Sequence, residues 1–151
     1  MKTNRCPAAV VCIRGDEDHP NLRGRAELVP CCGGTMVNIG VRGLPESATG
    51  FFALHIHEGE TCGGAAFSRT GGHFNPKGEA HPRHAGDLPP LLSCCGRAYL
   101  SVYTSRFRPE DVIGKTLVIH SGPDDFKTQP AGDAGNKIAC GMIRRPRQTG
   151  D

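Results

Sequence analysis

The sequence predicts an all-β fold, an antiparallel sandwich or barrel of about eight short strands. Three observations lead there. The apolar runs are short and alternate with polar residues. Turn formers are dense, with 12 Pro and 21 Gly among 151 residues. No 3.6-residue periodicity lasts long enough for a major helix. A chain of this length is expected to form a single domain over 1–151, with a core of its own.

Residues 7–13 (PAAVVCI) read as a first strand and 15–23 as a polar connection. Glu27-Leu28-Val29 runs into a turn at 30–34. Over 36–41, Val37, Ile39 and Val41 alternate with Met36 and Asn38, the signature of a half-buried strand. Residues 51–57 form the next strand. The stretch 58–87 is too long and Gly-rich for an ordinary turn, so that loop is expected to be functional. Over 97–104, Ala98, Leu100 and Val102 alternate with Arg97, Tyr99, Ser101 and Tyr103. Strands at 116–120 and 138–143 enclose a second long loop, 121–137. The basic tail 144–151 is expected to fray.

The formal charge is +3 and acidic residues interrupt the basic ones. That pattern suits small anions and argues against a nucleic-acid partner. No segment approaches the ~20 apolar residues that span a membrane. The first residues, MKTNRCPAAVVCIRG, lack the apolar stretch of a secretory signal, which predicts a cytoplasmic protein, or an extracytoplasmic one if a leader precedes this stretch. Eight cysteines pull toward an oxidising compartment.

Five of the seven histidines lie between His55 and His84, and a sixth is His120. In a strand, residues two apart share a face about 6.6 Å apart. His55 and His57 therefore point one way while Leu54 and Ile56 point into the core. Downstream, His73, His81, His84 and Asp87 follow the pattern H-x7-H-x2-H-x2-D. Three imidazoles and a carboxylate make a tetrahedral zinc set. Pro76 and Pro82 limit the freedom of that loop. His19 has no ligand-type neighbour at useful spacing and reads as a solvated loop residue.

The ordered motifs H-I-H-E, G-G-H-F-N-P, H-A-G-D-L, L-V-I-H, P-D-D-F and A-G-N-K-I-A-C-G resemble copper–zinc superoxide dismutases from about Leu54 to Ile143, most closely the bacterial branch. The resemblance implies an eight-stranded antiparallel Greek-key barrel, Ig-like in its sandwich character, with two long functional loops. It implies one copper on His55, His57, His73 and His120, and one zinc on His73, His81, His84 and Asp87, so that His73 bridges the two ions. Imidazole suits both metals, and the carboxylate marks the zinc side as the harder one. Asp124 matches an aspartate that links a ligand of each metal and fixes ring tautomers.

The activity so implied is disproportionation of superoxide to O2 and H2O2, with copper carrying the electrons and His73 supplying a proton. Superoxide is then the partner, and a homodimer is compatible with the family. Two rival functions remain at this point: a copper-binding or delivery protein of the same fold with little turnover, and a zinc-only structural domain. Where relatives usually carry an arginine beside copper, this chain has Lys137, a mobile point charge in place of a planar fork. The short His81–His84 interval, the short second loop, and Ala131 where relatives often have threonine are further departures.

The resemblance also implies a disulfide between Cys62 and Cys140. Cys6 and Cys12 flank the first strand, with Cys12 expected in the core. Cys31-Cys32 and Cys94-Cys95 fall at two hairpin turns and read as exposed thiols, with soft ligation of Cu(I) as the alternative. The strand order of the family puts those turns at opposite ends of the barrel.

Overall fold

The structure, a computed structural model, describes residues 6–147. Eight strands follow in chain order: β1 (Ala9–Gly15), β2 (Arg23–Cys31), β3 (Gly34–Arg42), β4 (Phe51–His57), β5 (Asp87–Leu92), β6 (Arg97–Thr104), β7 (Thr116–His120) and β8 (Lys137–Arg144). They are hydrogen-bonded in the order β5-β4-β7-β8-β1-β2-β3-β6, every neighbour antiparallel. The returns from β3 past β4 and β5 to β6, and from β6 to β7 between β4 and β8, make the Greek-key pattern. The two edge strands, β5 and β6, are consecutive in the chain, so their hairpin draws the sheet into a nearly closed barrel. The expected fold class is borne out.

Alternation decides the faces. In β3, Val37, Ile39 and Val41 are buried and Met36 and Asn38 are not. In β1, Ala9, Val11 and Ile13 are buried, which turns Cys12 outward. The expectation that Cys12 sits in the core is therefore wrong: the side-chain period of two overrides the residue's apolar preference. The core is filled by residues such as Ile39, Phe52, Leu54, Ile56, Leu117, Ile119 and Ile143.

β5 is the strand that sequence periodicity missed, because D-L-P-P-L-L carries two prolines. It survives as an edge strand: its register to β4 shifts between Phe52 and Leu54, and Pro89 and Pro90 fall in that irregularity. The turns of β2–β3 and β5–β6 are tight. Cys32 and Gly33 have φ of 47° and 81°, and Cys95 and Gly96 have 52° and 72°, the positive values that two-residue hairpins need to match strand twist.

The only helical segments among the described residues are α1 (Pro109–Val112) and a 3-10 segment at Ala65–Thr70. No helix there is long and apolar enough to cross a membrane. Of the tail expected to fray, Arg144 ends β8, and residues 148–151 lie outside the described residues.

The loop 58–86 folds over the outer face of β4 and β7 and is pinned by the disulfide Cys62–Cys140, with a sequence separation of 78 residues. In the chain-entropy picture a closure of that length stabilises by about 4.5 kcal/mol. Replacing both cysteines by serine is expected to cost about 2–4 kcal/mol in denaturant titration. An unchanged unfolding midpoint would show that the closure contributes nothing.

Candidate metal centre

β4 supplies His55 and His57 on the outward side of a strand whose inward residues are core. In the barrel wall His55 stands opposite Asp87 of β5 and Val118 of β7, and His57 opposite Thr116. His73 comes back to the wall through a backbone bridge to His57. His120 ends β7 opposite Lys137 of β8. The first long loop thus delivers His73, His81 and His84, and the second delivers Asp124, to a surface that β4 and β7 have already fixed. All six histidines and Asp87 are buried or nearly so, although several sit on loops.

Two groups result. One ligand-type atom from each of His55, His57, His73 and His120 lies within 4.8 Å of the others, and the same holds for His73, His81, His84 and Asp87. His73 belongs to both. Its Nδ1 lies 2.7 Å from Asp87 Oδ1 and 3.2 Å from His84 Nδ1. Its Nε2 is buried without any hydrogen-bond partner. The centroids of the His55 and His57 rings lie 4.0 and 4.9 Å from that of His73.

The unsatisfied atoms test whether cations fit here. His55 Nδ1, His73 Nε2 and His81 Nδ1 are buried with no hydrogen bond. His81 Nδ1 does approach Asp87 Oδ2, at 3.0 Å, but not along a hydrogen-bond direction. His57 Nε2 and His120 Nε2 face each other at 3.3 Å. Buried polar atoms are normally paired, and imidazole nitrogens that converge with no donor between them are what a shared cation would satisfy. The residues present fit copper and zinc.

Protonation agrees. Burial, then the neighbouring imidazoles His73 and His120, push His55 down to about 2. Burial does the same to His57, to about 2, against a contrary pull from the Gly71 carbonyl. His120 falls to about 4, again mainly by burial. The rings are therefore neutral at pH 7, the form that ligates a metal. Asp87 is held below the usual carboxylate range: burial opposes this, but the hydrogen bond and charges of His73, His81 and His84 outweigh it.

Asp124 connects the two groups from behind. Its Oδ2 lies 2.8 Å from His55 Nε2 and its Oδ1 2.8 Å from His81 Nε2. Those contacts leave Nδ1 of each ring as the free ligand atom. The carboxylate also accepts from the Phe126 backbone N–H. His57 Nδ1 is fixed in the same sense by the Gly71 carbonyl at 2.8 Å.

Lys137 reaches the group of His55, His57, His73 and His120 from β8. Its Nζ donates to Thr70 Oγ1 at 2.7 Å and to the Gly71 carbonyl at 3.2 Å, the carbonyl that also holds His57. Burial lowers its pKa below the ordinary lysine value.

Sequence reasoning missed three supports. Gly132, with φ of 70°, lies where a Cβ would collide with Asp124 Oδ1 and His81 Nε2, so only glycine leaves room for that contact. Gln129 clamps the His81 backbone from both sides, accepting from its N–H at 2.9 Å and donating to its carbonyl at 2.7 Å. Arg106 donates to the carbonyls of Pro82 and His84 at 2.9 and 3.1 Å. These brace the short His81–His84 interval. No local pattern announces such contacts; the one available signal was the Gly between small residues in A-G-D-A-G.

Elsewhere, His19 is not a bare solvated residue: its Nδ1 meets Asp16 Oδ1 at 2.6 Å. The thiols of Cys31 and Cys32 lie 3.6 Å apart and those of Cys94 and Cys95 4.0 Å apart. Thr35↔Thr104 and Arg42↔Arg97 pairing puts the two turns at opposite ends of β3 and β6.

Asp124→Asn turns one acceptor oxygen into a donor beside two rings that need acceptors. Metal affinity is expected to fall about 10–100-fold in chelator competition. Wild-type affinity in this variant would remove Asp124 from the support of the site.

The sequence profile described as "Copper/zinc superoxide dismutase (SODC)" matches residues 23–143. Superoxide dismutase (Cu-Zn) 2 of Aquifex aeolicus is 40% identical over 136 residues, covering 80% of this chain and 78% of the relative. Superoxide dismutase (Cu-Zn) of Deinococcus radiodurans is 34% identical over 145 residues, covering 82% and 78%. Among solved structures, a SOD-like protein from Bacillus subtilis superposes with a TM-score of 0.75 at 27% identity, covering 88% of this chain and 96% of that one. By its profile and its bacterial relatives, this chain belongs to the copper/zinc superoxide dismutase family.

Proposed function

We propose that His55, His57, His73 and His120 hold the copper, and His73, His81, His84 and Asp87 the zinc, of a superoxide dismutase. The observation that carries this assignment is His73, whose two ring nitrogens serve two groups of buried donors. The reaction converts two superoxide anions and two protons into O2 and H2O2. Copper supplies the one-electron exchange, while zinc, without accessible redox change, fixes its ligands and tunes the bridging ring.

The residues divide the remaining work. His55 and His57 are presented by a strand and do not depend on loop order. His73 Nε2 is the atom placed to take and return a proton, because its other nitrogen is held on the Asp87 side. Asp124 and the Gly71 carbonyl fix ring orientation. Lys137 gives the copper-side group a positive neighbour that attracts the anionic substrate. The Cys62–Cys140 bond supports residence in an oxidising, extracytoplasmic compartment over the cytoplasm.

A superoxide assay of metal-loaded protein, run beside metal analysis, tests the reading. Two metals per chain with turnover are expected, and His120→Ala should keep the zinc and lose the activity. Two metals without turnover would favour a copper carrier, and zinc alone a structural domain.

Lys137 makes a separate prediction. The attraction exists while the ammonium is protonated and is lost as pH rises through its folded pKa, which burial places below 10.5. Lys137→Met is expected to lower kcat/KM about tenfold at low salt. Lys137→Arg should raise the rate modestly and extend activity to higher pH, since arginine stays charged. A rate and alkaline limb unchanged by Lys137→Arg would refute the role.

A further inference from the structure

The basic residues look scattered along the chain, but strand register gathers four of them. Arg14 of β1 pairs with Arg23 of β2, Arg23 with Arg42 of β3, and Arg42 with Arg97 of β6. Residues directly opposite share a face, and the buried neighbours Ile13, Val41 and Ala98 show that this face is the outside of the barrel. All four arginines are exposed. Three strand spacings of ~4.8 Å make the row about 14 Å long.

Like charges placed directly opposite on a sheet destabilise it. The usual relief is an interleaved carboxylate, and none is present. Among the described residues, none of these four side chains takes part in an ion pair or hydrogen bond, whereas neighbouring Arg25 is paired with Glu27 at 3.2 Å. The row forms a low ridge: the surface grooves on both of its sides share Arg23, Arg42 and Arg97.

One groove also carries Tyr99, which is 73% exposed. Tyr99 pairs across the sheet with Gly40, where even a Cβ would meet nothing within 4 Å. Across β3, therefore, no side chain stands opposite the ring beside the row.

We propose that this face binds an anionic polysaccharide with one carboxylate per sugar, a polyuronate. The arginines recur once per strand, a backbone repeat of ~4.8 Å that is comparable with the length of one pyranose unit. Each planar carboxylate fits an arginine fork in bidentate fashion. The exposed face of Tyr99 offers an apolar platform for the C–H side of a sugar ring. Four unpaired arginines in line are complementary to a linear polyanion and excessive for a single small anion.

The row is distant from the metal centre. In the same register Arg14 faces Cys140, then Val118, then His55, so along the barrel wall Arg14, the nearest of the four, is three strand spacings, about 14 Å, from His55, and Arg23 is four, about 19 Å. Both exceed the screening length of ~8 Å at physiological salt. Polymer binding and turnover should therefore be separable.

The test is binding of a short oligogalacturonate to the metal-loaded protein, with a neutral oligosaccharide and a single-stranded oligonucleotide of equal charge as competing probes. Binding of the uronate is expected, weakening strongly between about 50 and 200 mM salt. Arg23→Gln/Arg42→Gln should lose about tenfold or more in affinity. The charge-matched Lys77→Gln/Lys127→Gln control should lose little. Metal content and physiological-salt activity should stay the same in the arginine variant. Its thermal midpoint should rise by a few degrees as the repulsion is relieved, which also shows that it folds. No uronate binding at low salt, equal loss in the control, or tighter binding of the oligonucleotide would each overturn the proposal. So would an arginine variant that binds as the parent does but loses turnover at physiological salt.

Discussion

Burying six imidazoles and two carboxylates in one small volume is the constraint around which the molecule is arranged. Each ring pays for leaving water, and neighbouring rings cannot become cationic to recover solvation, as the depressed pKa values of His55, His57 and His120 show. Some nitrogens find carbonyl or carboxylate partners. Others, such as His55 Nδ1 and His73 Nε2, find none within the protein. The arrangement becomes favourable only when cations take those lone pairs.

The barrel and the loops share that task unequally. β4 and β7 are paired in the barrel wall and present His55 and His57 in register, with His120 at the end of β7 opposite Lys137. The loops must be persuaded to bring the rest. Asp124 does so by touching a strand histidine and a loop histidine with its two oxygens, and Gly132 makes the room. Gln129 and Arg106 hold the backbone of the loop that carries His81 and His84, and the disulfide fastens its beginning to β8. Each support joins segments far apart in the chain, which explains how an unusually short spacing between His81 and His84 still yields a gathered site.

Much of this was legible beforehand. The period of two marked most strands and told which side His55 and His57 would share, and the ordered histidine motifs implied the two metal groups. What stayed hidden depended on tertiary context. β5 contains Pro89 and Pro90 and is a strand only because it lies at an edge. Cys12 looked apolar, but its neighbours claimed the inner face. The contacts of Gln129 and Arg106 span 48 and about two dozen residues, and no local pattern encodes them. The arginine row is invisible in composition because it exists only in the register between strands.

The most direct measurement of the central claim is anomalous scattering at the copper and zinc absorption edges from crystals of the metal-loaded protein. A copper peak is expected among His55, His57, His73 and His120, a zinc peak among His73, His81, His84 and Asp87, and the His73 ring between them. A single peak, or a His73 ring in contact with only one of two ions, would contradict that claim.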